Sequence, residues 1–392
     1  MKACPRTKKR DYSMRVKTKK RKWLTPFKLL FNSFFAILNF FLVSILFASA
    51  FSDFVSPEKY ILFAYLGLAF PILLLLNLCF FIYWLLTKKF LPAFVLIIVF
   101  AICWKPITVY FPIHSKTQIQ SDEDVIKVLS YNVMSFAYKD NTKESPNKII
   151  RYIAESDADI VCLQEYFVSS RDNLMSSREV AANLPMYPYI AEIIFSSQKN
   201  KHDKYGLAVL SKFPITSSQR IPFPSVYNGS AIHEINVNGK KVHVINNHLE
   251  SFKLTAEDRS KYSDIITHAN LESLDDLRGS IQQKLRQAFR IRAKQAHIIA
   301  DEIKKTNGYY TIVCGDFNDT PISYARRTIK GSLNDAFVES GLGMGISYNQ
   351  NFFLFRIDHI LYSSSMEAYN CHIDTKAKLS DHYPIYCYLK LK

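Results

Sequence analysis

Apolar and polar positions divide this chain into two regions with different grammars. Residues 29–52 and 60–87 contain no charged side chain. Each run exceeds the roughly 20 apolar residues that a membrane-crossing helix needs. A third uncharged run covers 90–104, and its apolar character continues past Lys105 to about Ile113. Pro92 and Pro106 bracket it, so it crosses only if Lys105 snorkels to the interface beside Trp104. The pattern predicts a membrane region over residues 29–113, three transmembrane helices held in a lipid bilayer.

After a polar linker at 114–124 (HSKTQIQSDED) the rhythm changes. Short apolar runs at 126–132, 159–164, 206–211, 241–247, 310–315, 354–362 and 383–390 read as strands, with helix-like stretches such as 146–156 between several of them. The last strands follow one another with little helix. This predicts an α/β fold over 125–392: a four-layer sandwich of two packed mixed β-sheets with outer helices. Residues 252–308 interrupt the strand rhythm. Ile281, Leu285, Ala288, Ala296, Ile299 and Ile303 keep a helical spacing, and Arg292 falls on the same stripe, where it is expected to be paired or to reach a cleft edge. The charged part, a helical insertion at about 252–285, reads as a solvated hairpin or as a lid or membrane-facing element. The glycines of GLGMG at 341–345 lack the strand and helix context of a phosphate loop and read as a flexible turn.

Charge sharpens the first region more than the second. The full chain carries +16, but residues 1–28 hold twelve Lys and Arg against Asp11 alone, a net of +11 that leaves only +5 for the remainder. The basic tail is expected in the cytoplasm, as are Lys88 and Lys89. The loop 53–59, with Lys59 its one basic residue, is then outside, and with three spans so is everything after about residue 113. Ala48-Ser49-Ala50 resembles a signal cleavage site, but two more apolar segments follow and an uncleaved multi-pass anchor is favoured. Of seven cysteines, Cys162 and Cys314 read as core residues, Cys371 and Cys387 as a pair able to bridge outside the cytoplasm, and none has zinc spacing.

Candidate chemistry sits where apolar runs end. The run Tyr310–Cys314 breaks at Gly315 into Asp316-Phe317-Asn318-Asp319, placing a carboxylate and an amide two residues apart on one side of an extended chain. Five other runs end the same way, at Asn132, at Gln164-Glu165, at Asn246-Asn247-His248, at Asp358-His359 and at Asp381-His382. Singly, each has a structural explanation: an Asx-turn, a solvated strand end, a satisfied histidine, a helix cap. Together they supply carboxylates, amides and histidines at strand ends, the donor set for a hard divalent cation and an attack on phosphorus. Oxygen ligands without cysteine favour Mg2+, with Mn2+ as the substitute.

These islands, in this order, resemble the endonuclease/exonuclease/phosphatase (DNase I-like) superfamily. The matching stretches are YN at 131–132, LQE at 163–165, GLAVLSKFPI at 206–215, NNHLES at 246–251, GDFND at 315–319, DHI at 358–360 and SDHYP at 380–384. The resemblance implies a metal-dependent phosphoesterase. Glu165 would be the main metal ligand, with Asn132 beside it and Asp381 holding the metal through water. Asp316 and Asn318 would position the attacking water and the phosphoryl oxygens. His382, oriented by Asp358, would contact the scissile phosphate or activate water, and His248 would assist the leaving group. Asn132, Asn318 and His248 are also the expected substrate contacts. Where some members carry a further carboxylate, this chain has Met134, which argues against a second metal and abasic-site chemistry.

The expected function is hydrolysis of a phosphodiester by a membrane-anchored enzyme. Its substrate is a nucleic acid, cut as by an endonuclease or exonuclease on DNA or RNA, or a phospholipid head group, cut as by a sphingomyelinase. A non-catalytic scaffold that keeps the fold is the rival from another class. No protein partner is predicted.

Overall fold

The structure is a computed structural model that describes residues 11–119, 124–137, 147–171, 174–197, 202–223, 225, 227–253, 257–258, 260, 274–306, 308–350 and 353–392. Residues 254–256, 259 and 261–273 of the expected insertion at 252–285 therefore lie outside the described residues. The chain forms two compact units, Met1–Ala48 with Ala69–Cys103, and Ser49–Leu68 with Trp104–Lys392.

The first unit is helical. Leu29–Ala50 and Ile61–Leu86 are each long and apolar enough to cross a membrane. Phe90–Ile102 and Trp104–Tyr110 pass that test only as a pair bent by 66°. A polar cluster ties the first two helices together. Asn39 Nδ2 donates to Asn77 Oδ1 at 3.3 Å, Trp84 Nε1 donates to Asn39 Oδ1 at 3.0 Å, and Asn77 Nδ2 donates to the Leu73 carbonyl at 2.9 Å. Leu75, Phe94 and Ile97 point outward and are exposed.

The second unit contains two six-stranded sheets. The first runs β13-β14-β1-β2-β4-β3 and the second β5-β6-β7-β8-β12-β9. Their central strands are β1 (Val125–Asn132) and β2 (Ile160–Ser169), paired in parallel, and β7 (Lys240–His248) and β8 (Tyr310–Asp316), also parallel. Antiparallel neighbours complete them: β3 (Tyr189–Ser197), β4 (Asp203–Ser211), β13 (Met366–Ile373) and β14 (Ile385–Leu391) in the first sheet, and β5 (Ile215–Ile221), β6 (Gly229–Val237), β9 (Asn334–Asp335) and β12 (Asp358–Tyr362) in the second.

Alternation on the strands builds the layers. Ile126, Val128, Ile160 and Cys162 meet Val242, Val244, Ile312 and Cys314 between the sheets. The alternate residues Leu129, Tyr131, Val161 and Leu163 pack outward under the helix Lys148–Glu155. Ile245, Val313 and Leu361 pack under the helices Leu274–Lys305 and Tyr324–Lys330. Both faces of the central strands are therefore buried, which is why they read as continuous apolar runs. The expected sandwich of two mixed sheets with outer helices is the observed fold.

Three details differ from the sequence reading. β3, β5, β6 and β13 carry polar residues on one or both faces and gave no strand signal. The expected strand at 354–362 is two: β11 (Phe353–Phe355) pairs with β10 (Tyr348–Gln350) as a hairpin, and β12 starts at Asp358. Cys371 and Cys387 are buried on adjacent strands with both thiols free, so no disulfide joins them.

Candidate active site

Every expected site residue lies at one end of the double sheet. Register explains the convergence. His248 is opposite Asp316 across β7 and β8, and Asp358 is opposite Asp316 across β8 and β12. Asn132 is opposite Gln164 across β1 and β2. Gly315 permits the close approach of β7 and β8: it has a φ of 128°, and a Cβ there would collide with the Asn247 carbonyl.

Two site residues sit in backbone conformations unusual for side-chain-bearing residues. Glu165 has φ 51° at an irregularity in the β2–β4 ladder, and Asn318 has φ 52° just past the end of β8. A further left-handed run covers Met134–Ala137, immediately after Asn132 and Val133. Each such residue costs of order 1–3 kcal/mol, and strain of this kind collects where side chains must be aimed.

Asp316 is the hub. Its Oδ1 accepts from the Asn318 backbone N–H at 2.7 Å, and its Oδ2 accepts from Asn132 Nδ2 at 3.1 Å and Asn318 Nδ2 at 3.2 Å. Asn132 Nδ2 also reaches Glu165 Oε1 at 3.2 Å, while its Oδ1 accepts from the Met134 N–H at 3.0 Å. The Asn132 amide is thus engaged at both ends. His382 Nδ1 donates to Asp358 Oδ2 at 2.8 Å, and its Nε2 lies 3.6 Å from Asp316 Oδ2. His248 Nε2 lies 3.7 Å from Glu165 Oε1 and 3.8 Å from Asp316 Oδ2. Asp381 is tied to the group through Ser380, whose hydroxyl donates to the Asn132 carbonyl at 2.8 Å and lies 3.2 Å from Asp381 Oδ1.

The electrostatics are crowded and negative. Burial raises the carboxyl of Asp316 to about 6, with His382 opposing the shift and Asp358 adding to it. Burial, then Asp381, raises Glu165 above the usual carboxylate range, against the Asn132 hydrogen bond. The two imidazoles part company. Burial holds His248 below its ordinary value. Burial acts on His382 in the same sense, but Asp358 and Asp316 outweigh it and lift that imidazole well above. Asp358 Oδ1 and His248 Nδ1 are buried without a hydrogen-bond partner.

Asp316, Asp358 and His382 bring ligand atoms within 4.8 Å of one another, a spacing that a cation can bridge. The bond between His382 Nδ1 and Asp358 Oδ2 already uses those atoms, so this trio reads first as a hydrogen-bonded acid–imidazole–acid row. The half-buried Glu165, whose side chain is 26% exposed, is the more open oxygen donor.

The family model described as the Endonuclease/Exonuclease/phosphatase family matches residues 129–382, from β1 to the His382 imidazole. The chain belongs to this family. A second family model, a domain of unknown function (DUF8431), matches residues 32–110. Tyrosyl-DNA phosphodiesterase 2 of Xenopus tropicalis is 24% identical over 160 residues, covering 39% of this chain and 38% of that protein. The match thus spans well under half of that relative's length. Among solved structures, Caenorhabditis elegans TDP2 aligns with a TM-score of 0.45 at 18% identity over 68% of this chain and 74% of that one. The human nocturnin catalytic domain with bound sulfate aligns with a TM-score of 0.49 at 16% identity over 71% of this chain and 98% of that one.

Around the family's motif residues the structure places further partners, of which the sequence points only to Gln164 and Asn246. Asn228 Nδ2 lies 3.3 Å from His248 Nε2 and donates to the Leu249 carbonyl at 2.8 Å. Ser347 Oγ accepts from the backbone N–H of Ile357 and Asp358, at 3.0 and 3.1 Å, fixing the start of β12. Gln164 Nε2 donates to Asn246 Oδ1 at 2.7 Å and ties the two sheets beneath the site. None of these follows an apolar run into the site as an acid or imidazole, so only the last, inside motif stretches already noted, left a trace in the sequence. Arg292, flagged by its place on the helical stripe, is buried and paired with Asp319 at 3.1 Å, and also donates to the Glu250 carbonyl at 2.9 Å.

Proposed function

We propose that this protein is a membrane-anchored, divalent-metal-dependent phosphodiesterase. The observation that carries the reading is the convergence of Asn132, Glu165, His248, Asp316, Asn318, Asp358 and His382 at one end of the double sheet, through hydrogen bonds and separations of 3.6–3.8 Å. The excess of buried carboxylate there, with Glu165 and Asp316 shifted upward and Asp358 Oδ1 orphaned, fits a cation. Glu165, Asn132 and Asp381 are the residues that would hold it, and hard oxygen donors suit magnesium before manganese. When bound, such an ion offsets phosphate charge and polarises phosphorus.

The chain's own residues do the rest. Asp358 fixes the His382 ring through Nδ1 and keeps it protonated, so Nε2 presents a charged donor to a phosphate oxygen. Asn318 and Asn132 hold Asp316 through both carboxylate oxygens, aiming it at a water placed for in-line attack and able to take that water's proton. Asn228 orients His248, the second imidazole against the substrate, on the leaving-group side.

Hydrolysis of bis-p-nitrophenyl phosphate with magnesium, then with EDTA, tests the class. Metal-dependent release of nitrophenolate is expected; a chain that binds phosphodiesters without cleaving them would instead be the scaffold. The substrate class is the finer question. The names of the relatives point to nucleic acid; the apolar helices point to a phospholipid head group. Offering single-stranded DNA, RNA, sphingomyelin and phosphatidylglycerol to the full chain in detergent separates them.

Contacts inside the second unit support a three-span topology with the catalytic domain outside the cytoplasm. Asp53, in the loop between the first two apolar helices, pairs with Arg327 at 3.2 Å, and Tyr65 OH donates to the Gln282 carbonyl at 2.9 Å. That loop and the catalytic body then share one side of the membrane. If Ile61–Leu86 crosses, the bent pair that follows must cross back. A reporter fused after residue 115 is expected outside; a cytoplasmic signal refutes this topology.

A further inference from the structure

A cavity of about 770 Å³ opens in the second unit, away from the catalytic residues. Phe51 and Phe54 form one wall, the short helix Trp104–Tyr110 another, and the helix Tyr324–Lys330 a third. Chain continuity sets its level. Ala50 lines it and is also the last residue of the candidate span Leu29–Ala50, and Lys105 and Pro106 belong to the second half of the bent pair. If those segments cross a bilayer, the cavity lies at headgroup depth, where exposed Phe54 and Trp104 are also at home.

The charges lining it do not balance locally. Arg326 is held by Asp335, and Arg327 by Asp53 at 3.2 Å, with its guanidinium 3.4 Å from the centre of the Phe54 ring. Lys105 and Lys330 remain, with no ion-pair partner among the described residues, against one exposed carboxylate, Glu339, at the rim. Lys330 is half-buried, and burial, then Arg326 and Lys105, hold its ammonium below the ordinary lysine range against the opposing pull of Asp335 and Glu339. Two unpaired ammonium groups in a pocket with an aromatic wall ask for an anion attached to something apolar. Basic pockets between membrane helices are known to bind anionic lipid headgroups, and on the topology above this one would face the outer leaflet.

We propose that this cavity binds a phosphate group, that of an anionic phospholipid headgroup, at a site separate from Asp316 and His382. The lipid source rests on the membrane reading above; the phosphate chemistry does not. Pro321 and Ile322, which line the cavity, follow Asn318 and Asp319 within a few residues, so the occupant would sit beside the loop that aims the catalytic carboxylate.

Native mass spectrometry of the full chain in neutral detergent, titrated with phosphatidylglycerol, phosphatidylcholine or glycerol 3-phosphate, tests this. Phosphatidylglycerol is expected to bind at least about tenfold more tightly than phosphatidylcholine. Each lysine removed should weaken it about fivefold, so the K105Q/K330Q double variant should lose about 25-fold while Lys330→Arg retains binding. Equal affinity of wild type and double variant for phosphatidylglycerol overturns the proposal. Should the double variant fail to fold, the exposed Lys105→Gln alone must still show its fivefold loss, and an unchanged affinity refutes the site. Lysine-dependent binding of glycerol 3-phosphate without any lipid preference keeps the phosphate site and overturns its lipid source. Alkaline carbonate extraction tests anchoring by itself: release of the chain refutes the membrane reading without touching the phosphate arm.

Discussion

Two regions of the molecule bury polar side chains, and they do so to different ends. Between the apolar helices, Asn39, Asn77 and Trp84 satisfy one another and two backbone carbonyls. Among the described residues, none of the buried side-chain atoms left without a partner lies in Met1–Ala48 or Ala69–Cys103. At the end of the double sheet the polar groups are in surplus. Asp358 Oδ1 and His248 Nδ1 have no partner, and burial pushes the carboxyls of Asp316 and Glu165 upward. A buried network closed on itself is glue. One that stays open, strained and negatively charged is built for something that arrives from outside.

The sharpest way to break that contrast is to remove a site group and find nothing lost. His382→Ala or Asp316→Asn should cut phosphodiester hydrolysis by roughly 10²–10⁴. Burial disfavours the ionised Asp316 carboxylate, and relief of that charge offsets the hydrogen bonding that an amide NH2 cannot accept, so Asp316→Asn measured in EDTA should leave the melting temperature nearly unchanged. Loss of rate with a falling melting temperature would mean that the site residues are structural after all.

Next in size is the buried pair behind the site. Arg292 is fully buried, stacked 4.4 Å from Phe252 and 4.9 Å from Phe289, with Asp319 and the Glu250 carbonyl as partners. Removing one member leaves a buried charge alone, so Arg292→Ala should cost about 3–5 kcal/mol in a urea titration. A loss below about 1 kcal/mol would show that the pair is solvated and that the loop after β8 is held by other means.

How far the sequence revealed this arrangement follows from burial. β1, β2, β7 and β8 are covered on both faces, so each reads as an apolar run, and the first polar residue at its end announces itself. Asn132, Glu165, His248 and Asp316 were legible for that reason. β5, ITSSQRI, is mostly exposed and has no such signature. Asn228 was hidden because it enters from a loop ahead of β6, with no apolar run to point at it. The left-handed backbone at Glu165 and Asn318 was also illegible, because neither is glycine and the conformation is imposed by the site around it. Register did the final assembly: the facing of Asp358, Asp316 and His248 across three strands is a tertiary fact.

The catalytic body should also respond to acid. Burial holds His233 down to about 4, neutral in the folded chain, with its Nδ1 2.8 Å from Ser218 Oγ. The unfolded chain takes up a proton near 6.5, so the stability from keeping this ring neutral is full above that value. It is lost progressively as pH falls from about 6.5 toward 4, on the order of 3 kcal/mol for a group this buried. Urea midpoints between pH 7 and pH 4.5 should fall less steeply in His233→Gln than in wild type. Parallel slopes would mean that His233 is protonated in the fold.

The smallest effect is expected in the helical unit, and it completes the contrast. Asn77→Val removes the acceptor for Asn39 and the donor to the Leu73 and Leu42 carbonyls. In water a buried break of this kind would be severe. In lipid, the separated helices also find partners for their polar groups, and measured interhelical bonds average about 0.6 kcal/mol, rarely above about 1.7. Asn77→Val in bicelles should therefore lower stability by about 1 kcal/mol and leave the rate of phosphodiester cleavage within twofold of wild type. A large loss of rate at unchanged stability would show the opposite of glue: a polar network in the apolar helices that reports to the active site.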